Sequence, residues 1–83
     1  MMKKIQAYVL MEIEIGRTDE VIKQLSSINE ATRVAVTTGI YDIVMLLEVE
    51  DLEALYDITV HKIHSIPGIK ETSTAVVEKM IST

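Results

Sequence analysis

The stretch Thr37-Thr38-Gly39-Ile40-Tyr41-Asp42 combines residue types that could hold a small polar ligand. Gly39 can take a positive φ without a Cβ clash and exposes bare backbone, while Asp42 and the two threonines can hydrogen-bond nearby amides. The same residues also describe an ordinary tight turn, in which Gly and Asp only shape the chain, and a single Gly is a weak sign of a site. A second group, Thr72, Ser73 and Thr74, supplies hydroxyls, and Glu12 and Glu14 supply carboxylates. A third is His61 and His64 with Asp57 one turn earlier, a spacing that could converge on a metal or an acid-base site. Histidines three apart near a helix C-terminus more often face the helix dipole or solvent, and no third strong ligand is evident. No catalytic residue, metal ligand or cofactor is assigned from them.

The elements that position these groups follow from hydrophobic period. Ile5, Ala7, Val9, Met11, Ile13 and Ile15 alternate with Gln6, Tyr8, Leu10, Glu12 and Glu14, the period-two pattern of a strand ending at Gly16. Thr18 is the expected N-cap of a helix of about three turns, with Asp19 and Glu20 in its first turn and Val21, Ile22, Leu25 and Ile28 on one face. Residues 33–37 form a second strand, the Gly39 turn follows, and residues 42–49 form a third strand with apolar residues on both faces, in mid-sheet. Asp51 caps a second helix with apolar positions Leu52, Leu55, Tyr56, Thr59 and Ile63. Ile66-Pro67-Gly68 ends it, and a last strand is expected from about Ile69 to Met80.

This order, β-α-β-β-α-β with right-handed crossovers, predicts an α+β fold: a ferredoxin-like sandwich whose four-stranded antiparallel sheet has strand order 4-1-3-2 and two helices on one face. The second face is left open, while Tyr8 and Leu10, Val44 and Leu46, and Ile43 and Met45 place apolar groups on both sides of the central strands. A second copy packed sheet to sheet is the expected cover. The Gly39 turn, the start of the last strand and the end of the first then share one end of the sheet, so a ligand bridges turn and strand more easily when one comes from a neighbouring subunit.

Composition narrows the function. With 83 residues the chain is one small domain of modest burial, and it has no cysteine to cross-link it. It is 48% hydrophobic with three Tyr and no Phe or Trp, so Ile, Val, Leu and Met build the core, and this much apolar surface favours self-association. A formal charge of −5 has the wrong sign for direct nucleic-acid binding. Lys3 and Lys4 precede an apolar stretch that Gln6 interrupts and Glu12 and Glu14 close, too short for a signal sequence. No run approaches the roughly 20 apolar residues of a membrane helix, so no membrane role is expected and a cytoplasmic location is.

Three segments together resemble a known family: Thr38-Gly39-Ile40-Tyr41-Asp42 followed by Ile43-Val44-Met45, then Ile66-Pro67-Gly68-Ile69, then Thr72-Ser73-Thr74-Ala75-Val76-Val77. They look like the RAM domain, the amino-acid-sensing C-terminal module of the Lrp/AsnC (feast/famine) transcription regulators, and the resemblance covers essentially the whole chain. It implies a homodimer assembled into higher oligomers, with a free amino acid as effector between dimers. Carried onto this sequence, it implies that Thr38, Gly39, Ile40, Tyr41 and Asp42 form one wall of the effector site and Thr72, Thr74, Ala75 and Val76 the other. Amides and hydroxyls would receive the effector's carboxylate, and an acidic group its ammonium. Regulators of this family carry an N-terminal helix-turn-helix domain, whereas here the first strand is expected within a few residues of Met1. The expectation is a stand-alone RAM-like domain spanning residues 1–83, acting on transcription indirectly through full-length Lrp/AsnC-type regulators. Ala75 stands where the motif usually offers a bulkier group, so effector identity does not transfer.

Three other readings stay open at this stage. An ACT-like regulatory domain shares the element order and also binds amino acids, but would gather its site around Ile15-Gly16-Arg17. A purely structural oligomerisation module would bind nothing small. A small ferredoxin-like enzyme would use the histidines. Tyr8 fits a subunit contact and Tyr41 sits on the turn, while Glu48, Glu50, Asp51 and Glu53 read as a solvated strand end and helix start rather than a calcium site.

Overall fold

A computed structural model describes residues 4–83, so Lys3 lies outside the described residues. Strand β1 (Ile5–Ile13) shows the expected alternation: Ala7, Val9, Met11 and Ile13 are buried, and the residues between them are half-buried. Ile15 does not continue it. The chain turns at Glu14, whose carbonyl accepts the Arg17 N–H at 3.1 Å, and Ile15 is left fully exposed at 104%.

Helix α1 (Thr18–Leu25) begins one residue earlier than Thr18 capping requires. Gly16, at φ +83°, redirects the chain so that Arg17 occupies the cap, with no side-chain cap bond, and Thr18 lies in the first turn. Asp19 and Glu20 still sit where the helix dipole favours negative charge. The helix is eight residues long, about two turns rather than three. Ile28 nevertheless reaches the core, because a tighter i to i−3 turn, Ile28 N–H to Leu25 O at 3.1 Å, carries the chain beyond the helix end.

Strand β2 (Ala31–Val36) starts two residues before the expected Arg33, and β3 (Ile43–Val49) lies between β2 and β1. Ile43, Met45, Leu47 and Val49 face the helices, while Val44, Leu46 and Glu48 face the other way and are half-buried. Helix α2 (Leu52–Asp57) has its expected cap: the Ala54 N–H donates to Asp51 Oδ1 at 2.8 Å.

Beyond α2 the helix widens into a π-helix over Ile58–Ile63. The expected α-helical stripe therefore shifts. Leu55, Ile58 and Ile63 are buried, and the five-residue step from Ile58 to Ile63 matches the i to i−5 bond from His64 N–H to Thr59 O at 3.0 Å. Leu52 and Tyr56, expected in the stripe, are instead 60% and 59% exposed.

The Ile66-Pro67-Gly68 stop leads into β4 (Ile69–Val76). Gly68 is required here. Its φ is +101°, and a Cβ would stand 2.9 Å from the Arg17 Cβ. Strand β4 ends at Val76 and not near Met80, because Val76 already lies opposite Ala7 and β1 offers little further edge to pair with.

All pairings are antiparallel, and the sheet order β2-β3-β1-β4 is the expected 4-1-3-2 read from the other edge. This is the predicted ferredoxin-like arrangement. The core lies between one sheet face and the helices and is wholly apolar among the described residues. On the opposite face Tyr8 sits across from Leu46 and Leu10 across from Val44, an apolar band that no helix among the described residues covers. Gln6 and Glu48 bound it, joined by a 3.1 Å hydrogen bond. No helix among the described residues is long and apolar enough to cross a membrane.

Candidate ligand-binding site

The Gly39 turn is held at its base and free at its tip. At the base, the Thr37 N–H donates to Asp42 O at 2.9 Å and the Thr37 hydroxyl donates to Tyr41 O at 2.8 Å. Asp42 is tied to β1 twice: its amide donates to Met11 O at 2.9 Å, and its Oδ2 accepts the Ile13 N–H at 2.8 Å. One carboxylate oxygen of Asp42 is thus already committed within the chain. Thr38, Gly39 and Ile40 are exposed, and a Cβ on Gly39 would meet nothing within 4 Å. Gly39 is needed for its φ of +117°, not for space inside the subunit.

The second expected wall is divided by strand alternation. Thr72, Thr74 and Val76 lie opposite Met11, Val9 and Ala7, on the helix side of the sheet edge. Ala75 lies opposite Tyr8, on the open face beside the apolar band. Within one chain these residues do not form a single surface, and β1 separates them from the turn. Thr38 to Asp42 and the start of β4 do share one end of the sheet: Met11 pairs with Ile43 on one side and with Thr72 on the other.

Two features of that end escape a reading by residue type. Thr72 Oγ1 lies 2.9 Å from His64 Nε2, and both residues line a cleft of about 510 Å³ with Ile69, Lys70 and Glu71. On the open face, Glu12 stands opposite Glu71. The side-chain hydrogen bond with Glu71, followed by partial desolvation and the Glu71 charge, raises the Glu12 carboxyl above the usual carboxylate range. Asp42 adds to this and Lys70 opposes it. The position of Pro67-Gly68 hinted at both through the start of β4, but a register shift between Glu12 and Ile13 decides which residues meet.

The histidines diverge. His61 packs edge-on against Tyr56, with ring centroids 6.3 Å apart, while His64 turns to Thr72. Among the described residues no group of three or more His, Cys, Asp or Glu side chains is placed to hold a metal. Around the ACT-type position, Arg17 spans Glu14 at 4.0 Å and Glu20 at 2.9 Å, which occupies its guanidinium in surface ion pairs.

Comparison with known proteins agrees with this architecture. An HTH-type transcriptional regulator of Pyrococcus furiosus, itself uncharacterized, is 32% identical over 73 residues, covering 88% of this chain and 49% of that protein. The chain spans about half the length of the curated relatives it matches. The crystal structure of TTHA0845 from Thermus thermophilus superposes with a TM-score of 0.89 at 26% identity, covering 95% of this chain and 99% of that one. The transcriptional regulator NMB0573 of Neisseria meningitidis, solved as a complex with L-Met, shares the fold with a TM-score of 0.88 at 17% identity, covering 95% of this chain and 53% of that one. The model of the Lrp/AsnC ligand binding domain matches residues 6–82, and with nearly the whole chain so accounted for, the protein belongs to the Lrp/AsnC family through that domain.

Proposed function

We propose that this chain is a non-catalytic module that binds a free amino acid where copies of the chain meet, and that it influences transcription indirectly, by assembling with Lrp/AsnC-type regulators. The observation that carries the reading is the free tip of the Gly39 turn: its backbone is exposed above a base fixed to β1, at the sheet end where β4 begins. Such a loop can close on a carboxylate or ammonium without first breaking bonds of its own. The division of Thr72, Thr74, Ala75 and Val76 between two faces fits a pocket completed by a neighbouring subunit better than one inside a monomer.

The apolar band of Tyr8, Leu10, Val44 and Leu46 supplies the means of association, by pairing of open sheet faces into a homodimer that builds larger assemblies. The net negative charge supports a reading in which a partner, not this domain, contacts DNA, and the module is proposed to work in the cytoplasm. L-Met in the Neisseria regulator makes methionine one of the twenty effectors to test, not the assigned one.

Native mass spectrometry with and without a panel of the twenty amino acids reads assembly and ligand together. The expected result is an oligomer that retains an amino acid and loses it with Gly39→Val. A protein that stays monomeric at micromolar concentration and retains none of them overturns the proposal.

A further inference from the structure

We propose that His64 is a positioning residue for the ligand: through its bond to Thr72 it sets whether the Thr72 hydroxyl offers a proton or lone pairs. The proposal rests on the amino-acid-binding reading above and assigns the effector carboxylate to the Thr72 end of the site.

The contact joins two elements whose placement is set by the core. His64 lies between buried Ile63 and Ile66, and its own N–H is held by Thr59 O at 3.0 Å in the π-helical pattern. Thr72 is paired with buried Met11. The 2.9 Å separation between Nε2 and Oγ1 therefore follows from where the π-helix ends and β4 begins.

A threonine hydroxyl has one proton and two lone pairs, whereas a neutral imidazole has one donor and one acceptor nitrogen. If Nε2 accepts from Thr72, the hydroxyl can only accept from a ligand, which suits an ammonium. When Nε2 carries the proton and donates to Oγ1, the Thr72 O–H is free to donate, which suits a carboxylate. A bound carboxylate would select the second state, and the cleft offers it a cation. Lys70 lines the same cleft, and the register shift that puts Glu12 opposite Glu71 and Ile13 opposite Ile69 leaves Lys70 as the extra residue without a partner on β1. Glu71 lines the cleft as well, but its partner across the sheet is Glu12. A lysine ammonium and an O–H donor facing one cleft are complementary to a carboxylate.

The test is two-bond ¹H–¹⁵N correlation of the histidine rings in the ¹⁵N-labelled full chain, before and after a mixture of the twenty amino acids, beside native mass spectrometry of the same samples. Expected is a His64 signal that moves to the Nε2–H tautomer with the mixture while His61, packed on Tyr56, does not move. His64→Phe should weaken retention of the amino acid by roughly tenfold, about the worth of one hydrogen bond to a charged group, and His64→Gln should recover part of it through its amide N–H. Should the wild-type chain retain an amino acid with the His64 signal unchanged, the inference fails and the proposed function stands. If it retains none, both fail. If His64→Phe does not fold, the wild-type ring spectra decide alone.

Discussion

Asp42 is clamped to strand β1 through both backbone and side chain, its amide donating to Met11 O at 2.9 Å and its Oδ2 accepting the Ile13 N–H at 2.8 Å. A residue expected to meet a ligand's ammonium is therefore also what fixes the Gly39 turn against the sheet. The two roles separate by substitution. Asp42→Ala strands the half-buried Ile13 amide and should cost about 1–3 kcal/mol in urea unfolding, whereas Asp42→Asn keeps an accepting oxygen and should cost less. If Asp42→Ala unfolds at the wild-type midpoint, the clamp contributes nothing.

Gly39 and Gly68 both hold positive φ, at +117° and +101°, but differ in what surrounds them. Gly39→Ala meets only backbone strain, of order 1–3 kcal/mol. Gly68→Ala meets similar strain plus a Cβ 2.9 Å from the Arg17 Cβ and 3.2 Å from the Val21 Cγ2. Thermal unfolding should therefore rank Gly68→Ala below Gly39→Ala. Only the Gly39 variant should impair ligand retention at equal folded fraction. The reverse order of stability would mean that the Gly68 turn relaxes freely.

Leu46 on β3 faces Tyr8 across the open side of the sheet, outside the helix-covered core. Leu46→Glu adds a charge to a surface that association would bury, so it should dissociate the assembly while leaving the monomer folded. Sedimentation velocity and far-UV circular dichroism report the two effects separately. An unchanged sedimentation coefficient would remove this face from the interface.

The sequence made β1 and β3 legible because each is a central strand, and central strands carry the strongest apolar patterns. The edge strands were harder. Their ends depend on how far a neighbour extends, which is why β2 begins at Ala31 and β4 stops at Val76. The second helix was legible at its capped start but not along its length. Leu52 and Tyr56 fit an α-helical stripe running on to Ile63, but the π-helix over Ile58–Ile63 changes the phase after α2, and the buried face is Leu55, Ile58 and Ile63 instead. At the candidate site the turn was readable from Gly39 and Asp42. The His64–Thr72 contact was not, since it needs both the π-helical phase and the register of β4.

Glu12 and Glu71 place two carboxyl groups side by side on the open face, at the sheet end where β4 begins, and the first is held above its usual pKa by the hydrogen bond, desolvation and charge at that contact. A carboxyl whose pKa is raised on folding contributes its stability fully below the unfolded value, about 4.3, and loses it as pH rises through the folded value. The sign is opposite to that of a salt-bridged carboxylate. Glu12→Gln retains a hydrogen-bonding side chain without the ionisation, so its advantage over wild type should be absent near pH 4 and grow toward pH 7. Paired urea titrations across that range give the difference directly. A wild-type chain that gains on Glu12→Gln as pH rises would show that Lys70, which lowers the Glu12 pKa, outweighs Glu71.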